Sequence, residues 1–202
     1  MSSIDIFESS KSKTIQIIGP CPFNINLIVD LPTIFIDGGI QHRQRIQDSK
    51  TLSVGDGDSN QTQYKLDIPF KKDKSFSDLQ GSFQYIPDFV SEINLLGFLG
   101  ERADHEFSNI LELFSLCKQR HNFVAKLEDS IEIFSPGTYH INHNGLISCY
   151  TFEDNLVSIE GDIKYPLRQE KITPLSSHGL SNEANGDLRI AVSKSPLVIF
   201  KN

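Results

Sequence analysis

The sequence has no run of about 18 consecutive apolar residues, which a membrane-spanning helix needs. Its opening residues, Met1 to Asp5, contain neither a basic segment nor an apolar one, so no secretory signal is expected. Cysteine is scarce, because only Cys21, Cys117 and Cys149 occur, too far apart for a metal-binding or redox pair. These absences predict a reduced, cytoplasmic protein.

Positive charge is also in short supply. The 19 Lys and Arg residues face 26 Asp and Glu residues, which gives a formal net charge of −7. Since nucleic-acid-binding domains usually carry a basic face, we expect neither nucleic acid nor a membrane as a partner. A length of 202 residues with 38% hydrophobic content is typical of one globular domain or two small ones.

The usual phosphate-binding and nucleophile motifs are missing as well. No P-loop pattern is present, no Gly-x-Gly-x-x-Gly follows a strand, and no Ser or Cys stands in a nucleophile elbow. If a nucleotide binds, its phosphates must be held by metal, by scattered cations and by the backbone amides of Gly38-Gly39. The candidate cations are Lys71, Lys72, Lys74 and Arg102. Each of them, taken singly, is more simply explained as a solvated surface charge.

Short apolar runs that end in Gly or Asp characterise the first half. Runs this short and this apolar are typical of buried parallel strands. The predicted strands are Ile15–Ile18, Thr33–Ile36, Leu52–Val54 and Ile93–Leu96. Two helices are predicted among them. One begins at Ser77, whose hydroxyl can cap the helix. The other runs from Glu106 to about Lys118, with an apolar stripe of Phe107, Ile110, Leu111 and Phe114 and with Cys117 in the core.

From about Asn122 the pattern is β. Several runs alternate apolar and polar residues, and Asn144-Gly145 between two of them predicts a hairpin that His140 and His143 straddle. We therefore predict a Rossmann-like α/β domain with a mostly parallel sheet over residues 14–121. A β-sandwich or jelly-roll domain is predicted over residues 122–202, and residues 1–13 form a flexible lead-in.

Aspartates gather at the predicted ends of the first-half strands and in the segments that follow. They are Asp37, Asp56, Asp58, Asp73, Asp78 and Asp104. Ligands of open α/β sheets bind beyond the carboxyl ends of the strands, so these carboxylates should converge. Clustered carboxylates repel one another unless a cation neutralises them, and carboxylate oxygens suit Mg²⁺ carrying substrate phosphates. The alternative is that turns simply favour Asp and Gly. His105 could either touch a phosphate or cap the second helix.

Seven segments in this order resemble motifs of the thiamine pyrophosphokinase family. No single segment is specific, but the ordered set runs from Asp37 to Glu183. The segments are Asp37-Gly38-Gly39, Gly55-Asp56-Gly57-Asp58-Ser59, Asp73 to Gln80, Gly100 to His105 with Asn109, Ser135 to Tyr139, Gly161 to Leu167, and Gly179 to Glu183. The chain departs from the family pattern at Gly57, Ser75, Ser77 and Glu101.

The resemblance implies an enzyme that transfers pyrophosphate from ATP to the thiamine hydroxyl, with Mg²⁺ as cofactor and AMP as leaving group. It implies a homodimer whose active sites lie between subunits. The implied catalytic residues are Asp78, Asp104, Asp56 and Asp58, with Asp56, Asp58 and Asp78 as metal ligands. The implied ATP-binding residues are Asp37, Gly38, Gly39, Ser59, Asp73, Lys74, Arg102 and His105, and the thiamine-binding residues are Tyr165, Ser181 and Asn182.

Two alternatives remain beside this interpretation. Asp56-Gly57-Asp58 is also an Asp-x-Asp metal motif of the kind found in nucleotide-sugar transferases. The substitutions at Ser75 and Glu101 would also fit a weakly active or non-catalytic member that binds thiamine or nucleotide.

Overall fold

The computed structural model describes residues 7, 10–28, 30–46, 50–100 and 102–202. The chain divides into two compact units, residues 1–112 and residues 113–202. Most of the predicted lead-in, together with Glu101, lies outside the described residues, and the predicted domain boundary at residue 121 stays a prediction. No helix among the described residues is long and apolar enough to cross a membrane.

The first unit is built on a parallel sheet. Its strands are β1 (Thr14–Ile18), β2 (Thr33–Ile36), β3 (Thr51–Gly55), β4 (Ile68–Pro69) and β5 (Glu92–Leu96). They lie in the order β5-β1-β2-β3-β4, and every neighbouring pair is parallel. The four predicted strands are thereby confirmed. Their apolar side chains are buried, as expected for strands covered on both faces.

Helices are few among the described residues, and the last of them begins in the first unit and ends in the second. A 3₁₀ helix covers Asp37–Arg45, α1 covers Asp78–Ser82, a 3₁₀ turn covers Phe83–Tyr85, and α2 covers Ala103–Lys118. The predicted cap of α1 is confirmed, because the Ser77 hydroxyl accepts a hydrogen bond from the Gln80 amide at 3.0 Å. An α/β arrangement is present, whereas its Rossmann-like detail stays a prediction.

The second predicted helix is present, but its buried face is rotated from the predicted stripe. Ile110 and Phe114 are buried as expected, whereas Phe107 is 56% exposed and Leu111 is 40% exposed. Leu113 is fully buried instead, and Cys117 is fully buried as predicted. Residues 110, 113, 114 and 117 also follow helical spacing, so the sequence offered two overlapping apolar stripes. Only packing could choose between them.

The second unit is entirely antiparallel. Its strands are β6 (Val124–Leu127), β7 (Ile131–Phe134), β8 (Gly137–Tyr150), β9 (Asn155–Ile163), β10 (Leu167–Ile172), β11 (Asn182–Val192) and β12 (Leu197–Lys201). They lie in the order β10-β9-β11-β8-β12-β7-β6. The predicted β character of this half is confirmed, while a sandwich or jelly-roll detail stays a prediction.

The predicted hairpin at Asn144-Gly145 is wrong. Strand β8 runs unbroken through it, and residues 137–147 pair with β11 without a break in register. The Leu146 amide donates to the Asn202 carbonyl at 3.0 Å, and the Leu146 carbonyl accepts from the Asn202 amide at 2.9 Å. Partners on two sides thus hold this segment extended, and His140 and His143 lie on one strand.

Candidate active site

The sheet order places two acidic segments side by side. Asp37 directly follows β2, and Asp56 and Asp58 directly follow β3. Since β2 and β3 are parallel neighbours, their carboxyl ends lie at the same edge of the sheet. One carboxylate oxygen from each of Asp37, Asp56 and Asp58 lies within 4.8 Å of the corresponding oxygen of the other two. We call these three residues the acidic cluster.

Asp37 is the buried member of the cluster. Its residue is 3% exposed and its backbone has a φ of +48°, in the left-handed region that few residues other than glycine adopt. One carboxylate oxygen accepts the Gly57 amide at 2.7 Å, and the other accepts the Ser59 amide at 2.7 Å. The Ser59 hydroxyl also donates to this second oxygen. Asp37 therefore holds the loop that carries the other two carboxylates.

Lys74 connects the cluster to Asp78. Its ammonium lies 2.6 Å from an Asp56 oxygen and 3.1 Å from an Asp78 oxygen. The side chain of Lys74 is 9% exposed, so this double ion pair is largely shielded from water. Asp78 is placed by the first turn of α1, which Ser77 caps. Lys74 thus supplies the positive charge that balances two of the carboxylates in the free protein.

The pKa values follow from these contacts. Hydrogen bonding to Lys74 lowers the pKa of Asp56. A hydrogen bond with Asp37 raises the pKa of Asp58, and burial and the neighbouring charges of Asp56 and Asp37 raise it further. Burial raises the pKa of Asp78 despite the nearby ammonium. Burial opposes the charged form of Lys74, but hydrogen bonds to Asp56 and Asp78 outweigh it and raise its pKa. Negative charge is therefore concentrated around Asp58.

Of these groups, Asp37, Asp58, Lys74 and Asp78 line an open cavity of about 460 Å³ in the first unit. Its polar wall contains Asp37, Asp58, Ser59, Lys74, Ser77, Asp78, Arg102, His105 and Asn109. Asn109 is held by a hydrogen bond from its side chain to the Phe98 carbonyl at 3.0 Å. Most of the predicted ATP-binding residues are therefore brought to one cavity, although they come from four separate segments.

Five predicted residues of the first unit are absent from the cavity wall: Asp56, whose carboxylate pairs with Lys74, and Asp104, Asp73, Gly38 and Gly39. Asp104 is not part of the cavity wall; its exposed carboxylate pairs with Arg102 at 2.6 Å. Asp73 is exposed and is also absent from the wall. Gly38 is buried, and a Cβ there would lie 2.7 Å from the Ser59 carbonyl oxygen, so this position has room only for glycine. Gly39 is buried beside it, and a Cβ there would collide with the Ile18 carbonyl.

Sequence reasoning missed the rest of the cavity wall. It includes Pro20 and Cys21 after β1, and Gly97 and Phe98 after β5. Their position in the sequence could have identified them. Both pairs come shortly after predicted parallel strands, and ligands bind beyond the carboxyl ends of such strands.

The second unit has a cavity of its own, of about 280 Å³. Tyr165 and Asn182 line it together with Ile147, Ile159, Leu167, Glu170 and His178. The Asn182 side chain brackets the backbone of Tyr165, accepting from its amide at 3.0 Å and donating to its carbonyl at 2.6 Å. Ser181 is not in the wall; its amide donates to the Ser148 hydroxyl at 3.0 Å. Glu170 and His178, 4.0 Å apart, were not predicted.

Comparison with known proteins decides the family. Residues 31–125, which contain the acidic cluster, Lys74 and Asp78, match the family model for the catalytic domain of thiamin pyrophosphokinase. Residues 31–125 belong to the thiamin pyrophosphokinase family. Among curated proteins, no sequence matches the chain.

Solved structures of thiamin pyrophosphokinases share the fold. The Bacillus subtilis protein superposes with a TM-score of 0.71 at 25% identity, covering 94% of this chain and 98% of the other. The Geobacillus thermodenitrificans protein gives a TM-score of 0.71 at 21% identity, covering 94% and 97%. The Candida albicans protein gives 0.67 at 15% identity, covering 97% and 91%.

The acidic cluster fits a magnesium ion, which thiamin pyrophosphokinases generally use together with ATP. Three carboxylates converge within 4.8 Å, and carboxylate oxygens are the protein ligands that Mg²⁺ prefers. The pKa of Asp58 is raised first by its hydrogen bond with Asp37, then by burial and by the charges of Asp56 and Asp37, and a divalent cation bound there relieves the charge repulsion.

Proposed function

We propose that the protein is a thiamine pyrophosphokinase that makes thiamine diphosphate and AMP from ATP and thiamine. In this reaction the thiamine hydroxyl oxygen forms a bond to the β-phosphorus of ATP. The bond from that phosphorus to the α,β-bridging oxygen breaks, and AMP leaves with the bridging oxygen and its electron pair. The hydroxyl proton is released. Transfers of this kind depend on positioning and charge neutralisation.

One observation carries the proposal. Asp37, Asp58, Lys74 and Asp78 line a single cavity inside the region that matches the catalytic domain of the family, and Asp56 forms an ion pair with Lys74. A cavity of about 460 Å³ suits a nucleotide-sized ligand.

The roles of the first-unit residues follow from their places in the cavity. Asp56 and Asp58 would hold Mg²⁺, which when bound neutralises the charge of the triphosphate. Lys74 would move its ammonium from the carboxylates toward a phosphate, and Arg102 and His105 line the same wall. Asp78 lines the wall whereas Asp104 does not, so Asp78 is the better placed of the two to orient the attacking hydroxyl.

Thiamine binding is assigned to the second unit. The cavity there combines apolar side chains with the Tyr165 ring, which is 62% exposed, and with the Glu170 carboxylate. The Lys164 ammonium lies 5.6 Å from the centre of that ring, so its face already accepts a cation. Thiamine is cationic and aromatic. As the family resemblance implies, we propose a homodimer in which a second copy supplies this surface. The three cysteines form no disulfide and fit a reducing, cytoplasmic compartment.

The direct test is to incubate the protein with ATP, thiamine and Mg²⁺ and to separate the products by chromatography. We expect thiamine diphosphate and AMP in equal amounts, and loss of both when the metal is chelated. Calorimetric binding of ATP and thiamine with no product would instead identify a non-catalytic binding member. Transfer from a nucleotide sugar, with none from ATP, would identify the metal-dependent glycosyl transferase.

A ring substitution tests the thiamine site. Tyr165→Ala removes the aromatic face, and cation–π attraction is worth about 0.5–2 kcal/mol. We therefore expect the KM for thiamine to rise about 2- to 30-fold with the KM for ATP unchanged. Tyr165→Phe is the matched control, because it keeps the ring and should stay close to the native value. Equal KM values for thiamine in the Ala and Phe variants would remove Tyr165 from the site.

A further inference from the structure

The geometry points to Asp37 as a positioning residue that shapes the metal-binding loop, Asp56 to Ser59, and that does not itself bind the cation. The inference rests on the proposed function, because it takes Asp56 and Asp58 as the cation ligands. It separates Asp37 from its two neighbours, although all three carboxylates lie within 4.8 Å of one another.

The first argument is acceptor capacity. A carboxylate offers about four lone-pair positions. In Asp37 three of them accept the Gly57 amide, the Ser59 amide and the Ser59 hydroxyl. The remaining hydrogen-bond contact of this carboxylate is with Asp58. A cation could bind Asp37 only by displacing donors that shape the loop.

The second argument is that glycines at positions 55 and 38 leave the space in which Asp37 approaches the loop. A Cβ at Gly55 would lie 2.9 Å from the Asp37 Cβ, and one at Gly38 would lie 2.7 Å from the Ser59 carbonyl oxygen. The Ser59 hydroxyl accepts from the Gly38 amide at 3.1 Å while it donates to Asp37. The backbone at the ends of β2 and β3 therefore packs closely against the hydrogen bonds between Asp37 and the loop.

The third argument is exposure. Asp37 is 3% exposed, whereas Asp58 is exposed and Asp56 has no donor other than Lys74 and the Asp58 amide among the contacts described. Asp58 thus presents its carboxylate to solvent at the cavity wall. Asp37 lines the same wall but is almost wholly enclosed, and Asp56 is shielded by its ion pair with Lys74. Partners of this kind that orient ligands typically contribute about 10- to 100-fold to metal affinity.

The test measures Mn²⁺ affinity by electron paramagnetic resonance on the whole protein, and amide exchange of Gly57 and Ser59 by NMR. Asp37→Asn keeps a residue that tolerates positive φ but loses acceptor positions. Ser59→Ala removes one donor and leaves every carboxylate in place. We expect both variants to bind Mn²⁺ about 10- to 100-fold more weakly and to exchange these amides faster.

Two further variants serve as controls. Asp58→Asn removes a proposed ligand, but its amide can still donate to Asp37, so Mn²⁺ affinity should fall while amide exchange stays native. Asp67→Asn removes a matched Asp–Ser contact of the same unit, in which Asp67 accepts the Ser53 amide at 2.9 Å and the Ser53 hydroxyl at 2.8 Å. This merely structural change should leave Mn²⁺ affinity native.

The inference is overturned if Asp37→Asn weakens Mn²⁺ binding with native amide exchange, because Asp37 would then be a direct ligand. Native Mn²⁺ affinity in Ser59→Ala would overturn it as well. If Asp37→Asn fails to fold, the Ser59→Ala result decides alone. Neither readout requires pyrophosphoryl transfer, so a protein inactive toward thiamine could still pass this test, and an active one could fail it.

Discussion

Replacing Asp78 by Asn should lower turnover by about 10²- to 10³-fold, the loss that follows when one preorganised polar group leaves an active site. Asp78 lines the nucleotide cavity and is held by the capped first turn of α1. Its side chain is 17% exposed and is not part of the apolar core, so the fold should survive. The measurement is steady-state production of AMP and thiamine diphosphate, alongside a thermal melt.

The matched control for this variant is Asp88→Asn. Asp88 is an exposed aspartate of the same unit outside the cavity wall, so its variant should keep native turnover. Native turnover in Asp78→Asn would remove Asp78 from the mechanism. A large fall in melting temperature would show that its role is structural.

Replacing Lys74 by Met should destabilise the metal-free protein and make its stability strongly dependent on Mg²⁺. The ammonium balances Asp56 and Asp78 at 2.6 and 3.1 Å, and its side chain is 9% exposed. Its loss leaves these carboxylates and the rest of the acidic cluster without that charge. We expect the free energy of unfolding to fall by about 1–3 kcal/mol, between the values for exposed and buried ion pairs. That corresponds to a melting temperature lower by about 2–12 °C.

Added Mg²⁺ should raise the melting temperature of Lys74→Met more than that of the native protein, because the cation then binds without competition from the ammonium. Turnover should stay low even at saturating Mg²⁺, since the phosphates have lost a counter-charge. Lys65→Met, which removes an exposed lysine of the same unit, should match the native protein in all three measurements. An equal Mg²⁺ response in both lysine variants would contradict the proposed competition.

Local rules were sufficient for the elements of the first unit. Apolar runs bounded by Gly and Asp located β1, β2, β3 and β5, and Ser77 located the start of α1. The acidic residues could be brought to one edge because parallel neighbours end at the same side of a sheet. That rule places Asp37 beside Asp56 and Asp58 without any knowledge of distances.

Local rules failed where two solutions were equally good along the chain. Asn144-Gly145 is a strong turn signal, but pairing of β8 with β11 on one side and with Asn202 on the other keeps it extended. In α2, one possible apolar face begins at Phe107 and another at Ile110, and the packing of the helix buries the second. In both cases the deciding contacts come from residues distant in sequence.

The sequence by itself determined the strands, the acidic segments and the likeness to a family of pyrophosphate-transferring enzymes, because each depends on residue type and short spacing. Only the tertiary structure decided that Lys74 bridges Asp56 and Asp78, that the buried Asp37 carboxylate accepts the loop amides, and that Asp104 lies off the cavity wall. Those differences depend on where a side chain points after distant segments have packed, and hydrogen-bond capacity and burial settle that direction only in the folded chain.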